Sequence, residues 1–373
     1  MTRVKAIYRV HGDARSIEAR ARAIANEQSI EMPLAAVDDD FVRSEIVGRV
    51  ERISQKSDRL HDVEISLSVQ TVGEDAGQLM NMLYGNSSLQ DDVVLHDVEL
   101  PHSLVSCFGG PRHGLESLRA RVGASRRALT CSALKPQGLP SDKLAQLAQR
   151  FALGGVDYVK DDHGLADQGY SRFAERLQSV ARALDATRAE HGAQTEHVPS
   201  ISGDLDSMRA QVRLAWENGV RAVMVAPMIM GVSNFHRLVR ENPELAFFAH
   251  PALAGAARIH PALLFGKLFR LFGADAVIFP NHGGRFGYSP ETCRAIAATA
   301  LSTHHSLKPC VPVPAGGMSL GRVGEMLDFY GDDVMLLIGG ALLEAPDRLV
   351  ETTAAFVADV HRYAYNRRRT DDG

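Results

Sequence analysis

Residues 152–169, Ala152-Leu-Gly-Gly-Val-Asp-Tyr-Val-Lys160-Asp-Asp-His-Gly-Leu-Ala-Asp-Gln-Gly169, decide how this chain folds. The Gly154-Gly155 pair marks a turn, and the apolar run from Val156 to Val159 reads as a buried strand. Lys160, Asp161, Asp162 and His163 arrive together where that strand should end. Four polar groups at a strand terminus are costly to bury without partners. In a parallel α/β sheet or barrel the carboxyl ends of the strands form the working face, so the cluster reads as metal or proton chemistry. A solvated loop of charges is the plainer alternative.

The same texture, a short apolar run followed by an amphipathic helix, repeats on both sides of this stretch. Strands are predicted over 128–134, 156–159, 198–202, 222–226, 245–249, 276–279, 310–313 and 334–338. Helical spacing fills the intervals at 141–151, 171–189, 204–218, 234–240, 261–272, 289–301, 320–330 and 346–365. Eight such units in roughly 240 residues match a (β/α)8 TIM barrel, whose parallel strands need crossover helices. Upstream, strands over 4–11, 41–53, 62–72 and 93–99 alternate with helices over 14–28, capped by Asp13, and 75–84. The order β-α-β-β-α-β predicts a smaller α+β, ferredoxin-like domain whose elements end near residue 105. The division expected is 1–120 for this domain and 121–373 for the barrel with its C-terminal helix. No low-complexity linker separates them, so they should pack together.

Composition narrows the partners. The 373 residues carry a formal net charge of −4 with no broad basic surface, which argues against nucleic acid. Arg367 to Arg369 form the one basic run, beside Asp371 and Asp372. Cys107, Cys131, Cys293 and Cys310 are far apart and form no CxxC pair, as expected of reduced thiols. The N-terminus lacks the apolar core of a secretion signal, and no apolar stretch of about 18 residues occurs. A cytoplasmic protein with no membrane partner is the expectation.

The loops after the strands supply the candidate chemistry. Ala315-Gly316-Gly317 and Ile338-Gly339-Gly340 follow strands seven and eight, where barrels often hold phosphate and where glycine lets backbone N–H groups approach an anion. A tight turn would also explain either pair alone. Asn281-His282-Gly283-Gly284-Arg285 follows strand six, and Arg285 could close over the same anion. Lys135, after strand one, and Lys160 share one rim, and a lysine near another cation can act as a base near neutral pH. His250, after strand five, reads as a proton shuttle or phosphate donor, or as a satisfied rim histidine.

Taken together, Phe108-Gly-Gly-Pro-Arg-His-Gly114, Leu134-Lys-Pro136, Gly154-Gly-Val-Asp-Tyr-Val-Lys-Asp-Asp162, Ala315-Gly-Gly317 and Ile338-Gly-Gly340 resemble the large subunit of ribulose bisphosphate carboxylase. The likeness, from about Gly85 to Leu343, is closer to its non-carboxylating relatives, the RuBisCO-like (form IV) proteins. The resemblance implies that Lys160 takes up CO2 as a carbamate and binds Mg2+ with Asp162. His163 stands where the family has a glutamate, which leaves room for Mn2+. Lys135 matches the proton-transfer lysine, and Gln137 replaces a second lysine. Gly316, Gly317, Gly339 and Gly340 keep one phosphate site, with Arg285 in place of a closing-loop lysine. The arginine and histidine for the other phosphate appear as Pro251 and Ile278, and the first domain's phosphate-contacting Thr-Trp as Met32-Pro33. Glu27 and Asn86 match residues that the first domain of one subunit brings to its neighbour's barrel, which implies a homodimer with a shared site.

These correspondences imply enolisation or isomerisation of a phosphorylated ketose carrying one phosphate. An isomerase of 5-methylthioribulose 1-phosphate, as in methionine salvage, is the leading expectation, with no CO2 fixation on ribulose bisphosphate. The alternatives are a decarboxylase or transcarboxylase of a branched oxo-sugar-acid phosphate, an enolase of 2,3-diketo-5-methylthiopentyl 1-phosphate, and a non-enzymatic sugar-phosphate sensor. The candidate catalytic residues are Lys135, Lys160, His250, Asn86 and Glu27. Arg285, Gly316, Gly317, Gly339, Gly340, Asn281 and His282 are candidates for substrate and phosphate, and carbamylated Lys160, Asp162 and His163 for metal.

Overall fold

A computed structural model describes residues 2–371. The first domain is one antiparallel sheet of β1 (Arg3–His11), β2 (Arg49–Ser57), β3 (Leu60–Ser68) and β4 (Val93–Glu99), in the spatial order β2-β3-β1-β4. Val4, Ala6, Tyr8 and Val10 of β1 are buried in alternation, as a half-covered strand requires. The helices Ile17–Glu27 and Ala76–Tyr84 bury their apolar stripes, Ile17, Ala21 and Ile24 in one and Leu79 and Leu83 in the other. The β-α-β-β-α-β order is as expected.

Several boundaries differ, β3 for instance ending at Ser68 where a strand to residue 72 is expected, and two of the differences have a clear local cause. The first helix begins at Ile17, because Asp13 turns the chain first, its carboxylate accepting the Arg15 N–H at 2.8 Å. The strand expected over 41–53 is two elements, a helical turn Val42–Ile46 and then β2. Asp39 caps that turn by accepting the Val42 N–H at 2.8 Å, a local bond that outweighs the apolar alternation. Gly48 then lets the chain cross the first helix, since a Cβ there would lie 2.4 Å from the Ala25 carbonyl oxygen.

The second sheet is the barrel. Its eight parallel strands are β5 (Leu129–Leu134), β6 (Tyr158–Asp161), β7 (Glu196–Val198), β8 (Ala222–Val225), β9 (Ala246–Ala249), β10 (Ala276–Pro280), β11 (Val311–Ala315) and β12 (Met335–Leu337). Strand order runs β7-β6-β5-β12-β11-β10-β9-β8, and a bridge between Ser200 and Met224 brings the two ends together. Alternate residues of every strand fill the interior, among them Cys131, Tyr158, Val198, Met224, Phe248, Ile278, Val313 and Met335. The helix Gly114–Arg121 closes the lower end, with Leu115 and Leu118 in this interior cluster and the Leu118 carbonyl accepting the Tyr158 hydroxyl at 2.8 Å.

The two sheets share an apolar core that runs from Val4 and Leu95 to Phe265 and Phe269. Leu95 of β4 also receives and gives backbone hydrogen bonds across the boundary, its N–H to Arg258 at 3.1 Å and its carbonyl from His260 at 2.8 Å. Among the described residues no helix is long and apolar enough to cross a membrane. The basic run at Arg367 to Arg369 lies in a stretch whose side chains are outside the description.

Candidate active site

Strand parity decides what reaches the barrel mouth. In β6, Tyr158 points inward, so Lys160 and Asp162 do as well, while Asp161 points outward. The strand also runs two residues further than its apolar run suggests, pairing Ala133 with Lys160 and Leu134 with Asp161. The preceding glycines place it. A Cβ on Gly154 would lie 2.4 Å from Cβ of Thr353 in the C-terminal helix, and Gly155 turns with φ +81°.

Asp161 is therefore structural. Its carboxylate accepts from Arg176 Nε at 2.9 Å, the Ser200 N–H at 3.2 Å and His197 Nε2 at 3.1 Å, all behind the strand. Burial alone would raise its pKa, but the His197 hydrogen bond and the Arg176 charge reverse that and hold it low. The Asp161 carbonyl accepts the Lys160 Nζ proton at 2.9 Å.

The inward residues of the other strands meet Lys160 and Asp162 in a cleft of about 1110 Å3, which Lys135, His163, His250 and Arg285 also line. Lys135 Nζ lies 2.9 Å from Asp162 Oδ1, and His163 Nδ1 lies 3.4 Å from the same oxygen. Gln137 Nε2 donates to Asp162 Oδ2 at 3.4 Å. Burial would raise the Asp162 carboxyl, yet the His163 and Lys135 hydrogen bonds and the Lys160 charge hold it well below the usual range. Burial pushes the Lys160 ammonium down, so more of it is the neutral amine. The rings of His163 and His250 stack at 4.4 Å and 9°. His250 Nδ1 accepts the Ala252 N–H at 3.1 Å, which assigns the ring proton to Nε2. Burial, with the nearby Lys160 and His163, pushes the pKa of His250 down to about 2.

The glycine pairs differ from each other. Gly316 and Gly317 have φ of +84° and +66°, and a Cβ on Gly317 would sit 2.5 Å from Gly284 Cα, so the loops after β10 and β11 lie in contact. Arg322 clips them, Nη1 donating to the Gly317 carbonyl at 2.6 Å and the His282 carbonyl at 3.4 Å. A Cβ on Gly340 would meet nothing within 4 Å, so crowding does not demand glycine there. Gly316, Gly317, Gly339 and Gly340 all line the cleft, and Arg285 reaches it with its guanidinium 4.8 Å from the Phe286 ring.

Four candidates lie elsewhere. Asn281 is turned from the mouth into a buried cluster, accepting the Tyr330 hydroxyl at 2.6 Å and facing the sulfurs of Met318 and Met326. His282 packs on Phe329 at 4.6 Å and does not line the cleft. Both were expected to face the substrate, but the sharp turn after β10 points Gly283 to Arg285 inward instead. Glu27 and Asn86 lie on the first domain, in contact with each other, with Asn86 Nδ2 donating to Glu27 at 2.9 Å and to Glu31 at 2.7 Å. Buried Gln28 sets this pair by bonding the Asn81 and Met82 carbonyls and accepting the Ser87 N–H at 3.2 Å.

Among the described residues no three His, Cys, Asp or Glu side chains converge as metal ligands. A cation at the mouth would have Asp162 and His163, and a third donor only if Lys160 supplies an oxygen. The donor types fit that case: burial lowers the pKa of Lys160, which favours the amine that adds CO2, and a carboxylate and a carbamate are oxygen donors of the kind Mg2+ or Mn2+ takes, with the His163 imidazole the softer third.

Residues 114–358 match the ribulose bisphosphate carboxylase large chain, catalytic domain. The chain belongs to this RuBisCO large-chain family. Within the RuBisCO family it is 60% identical over 359 residues to the 5-methylthioribulose-1-phosphate isomerase of Rhodospirillum rubrum, a match covering 96% of each chain. It is 30% identical over 384 residues to the 2,3-diketo-5-methylthiopentyl-1-phosphate enolase of Geobacillus kaustophilus, covering 96% of this chain and 92% of that one. The crystal structure of a Rubisco-like protein from Rhodopseudomonas palustris superposes with a TM-score of 0.92 at 51% identity, covering 97% of this chain and 99% of the other. The expected resemblance to RuBisCO-like proteins and the expected barrel fold are both borne out.

Proposed function

We propose that this RuBisCO-like protein isomerises a ketose monophosphate by proton transfer, with 5-methylthioribulose 1-phosphate as its substrate. The observation that carries the reading is the asymmetry of the cleft. One side offers the glycine loops for a phosphate, while Pro251 and Ile278 on another side offer no cation to a second one. A second dianion buried there would be left unpaired. The Rhodospirillum rubrum relative, at 60% identity, bears the name of this activity.

Lys160, as its carbamate, with Asp162 and His163 would hold a divalent cation, which when bound supplies Lewis acidity to a substrate carbonyl. Backbone N–H groups of Gly316, Gly317 and Gly340 receive the phosphate, and Arg285 closes over it. Lys135, as the free amine left when Asp162 gives up their 2.9 Å contact to hold the cation, takes the proton from the carbon beside the carbonyl and returns it to the former carbonyl carbon. His250, neutral with its proton on Nε2, donates to the oxygen on which negative charge develops. Glu27 and Asn86 complete the site from a second subunit. No atoms are gained or lost, so the product is an isomer.

Turnover of 5-methylthioribulose 1-phosphate in D2O, with Mg2+ and bicarbonate, tests this. The expected result is an isomeric ketose phosphate carrying solvent deuterium on carbon, with no CO2 released. Release of CO2 from an oxo-sugar-acid phosphate, or carboxylation of ribulose bisphosphate, in place of that isomerisation would refute it.

A further inference from the structure

Beyond His250, the side of the cleft that follows β9 is apolar, formed by Pro251, Ala252, Leu253 and Phe265, with Ile278 from β10 beside them. Leu253 differs from its neighbours in two ways. Its backbone has φ +65°, a left-handed conformation that leucine rarely takes. Its side chain also lines the cleft while 60% exposed. The conformation is held from both sides: the Ala252 N–H donates to His250 Nδ1 at 3.1 Å, the Ala254 N–H to the Pro251 carbonyl at 3.0 Å, and the Ala256 N–H to the Leu253 carbonyl at 3.1 Å. The turn that fixes His250 thus also presents Leu253. Of the cleft's cations, Lys160 stands on β6, Lys135 just after β5 and Arg285 in the loop after β10, and no lysine or arginine from β9 or its loop lines it.

A strained position that holds a large apolar side chain toward a cleft is compensated when a ligand covers that side chain. We propose that Leu253 is a specificity-determining residue, its side chain packing on the uncharged thioether tail of the substrate and selecting it over a pentulose phosphate that ends in a hydroxyl. This rests on the ketose-monophosphate reading above and names what the far end of that substrate meets. Selection follows from area alone, because a methylthio group against leucine removes apolar surface from water on both partners. A hydroxyl in the same place loses water without gaining a donor or acceptor.

The test is binding to the full chain, with Mg2+ and bicarbonate, of two reduced ligands that cannot react: 5-methylthiopentitol 1-phosphate and pentitol 1-phosphate. Leu253→Gly and Leu253→Asn are the variants, since both residues accept φ near +65° and keep the turn. Calorimetry should show the wild type favouring the methylthio ligand by on the order of tenfold, and both variants narrowing that preference to about twofold. Affinity for pentitol 1-phosphate should not move. A wild type without preference, or without affinity for either ligand, overturns the proposal, as do variants that keep the wild-type ratio. If they keep it while sedimentation shows a weakened dimer, Leu253 serves subunit docking instead. The isomerase reading fails separately, through absence of deuterium uptake, because this measurement needs no turnover.

Discussion

At the scale of single residues the proposed site turns on a buried lysine whose pKa burial lowers. Lys160 is almost wholly buried, and its side chain donates a hydrogen bond to the Asp161 carbonyl. Replacing it with methionine keeps the volume and removes the amine. Lys160→Met should lower kcat by at least about 10³-fold, since the carbamate proposed above and the cation it would hold are both lost. The same change should leave Tm unchanged or raised, because a buried amine is costly to desolvate whether or not it carries its proton. Steady-state rates and thermal melts of the same preparation check both halves. His250 gives a pH prediction whose sign is fixed by its depressed pKa. An unfolded chain binds a proton at this ring as pH falls through 6.5, whereas the folded chain does so only near about 2. Folding stability is therefore lost on acidification within that window, by about 1.4 kcal/mol per pH unit for this group. In metal-free protein, the stability gap between wild type and His250→Gln should shrink at that rate from pH 6 to pH 4 in urea titrations. Parallel curves would sink the assignment. Which of the four polar residues in 160–163 serve the mouth was partly legible beforehand, since parity alone sends Lys160 and Asp162 one way and Asp161 the other. The partners of Asp161 were not, because Arg176 and His197 belong to later elements whose registers no local pattern reveals.

Elements convert such side chains into a site, and the glycine loops show how far sequence carries. Both pairs were read as a phosphate cradle, but the reading could not separate a glycine demanded by packing from one that leaves space. The structure separates them. Gly317→Ala would force a Cβ to within 2.5 Å of Gly284 Cα at a φ of +66°. It should cost about 1–3 kcal/mol of stability and loosen the Arg322 clip. Gly340→Ala meets nothing within 4 Å. Its stability should stay within about 0.5 kcal/mol of wild type. Its inhibition constant for inorganic phosphate should still rise severalfold if the Gly340 backbone binds the anion as proposed, because the methyl group then fills that space. If Gly340→Ala left phosphate inhibition untouched, the loop after β12 would be a turn and no more. The eight barrel strands were legible because short apolar runs bounded by glycine, proline or charged residues leave few alternatives. The strand expected over 41–53 was not, because one Asp39 cap created a helical turn inside an apolar alternation. Asn281 failed for a different reason, since a side chain beside a glycine turn can face either way and only the fold shows it pointing to Met318 and Met326.

At the scale of the whole molecule the two domains are fastened by Leu95 and a common core, yet the polar pair on the first domain does not reach its own cleft. Glu27 and Asn86 are held together by a hydrogen bond at 2.9 Å and do not line the Lys160 cleft. Sequence spacing alone could not bring together residues 59 positions apart; the buried Gln28, which ties the end of one helix to the loop after the other, does so. A rigidly presented acid and amide with no barrel partner among the described residues is what a site completed by a second copy would use. Symmetry turns this into a counting experiment. A chain carrying Glu27→Gln and Asn86→Ala keeps a sound barrel, and a Lys160→Met chain keeps a sound first domain. Each alone should be inactive. Mixed at random, half of the dimers pair one chain of each kind, and each mixed dimer holds one intact site and one doubly damaged site. About a quarter of wild-type activity should therefore return when the two are co-expressed or refolded together. Activity that stays absent in the mixture, with mixed dimers verified by mass spectrometry, would mean that each cleft is served by its own chain, and Glu27 and Asn86 would then be surface groups of the first domain.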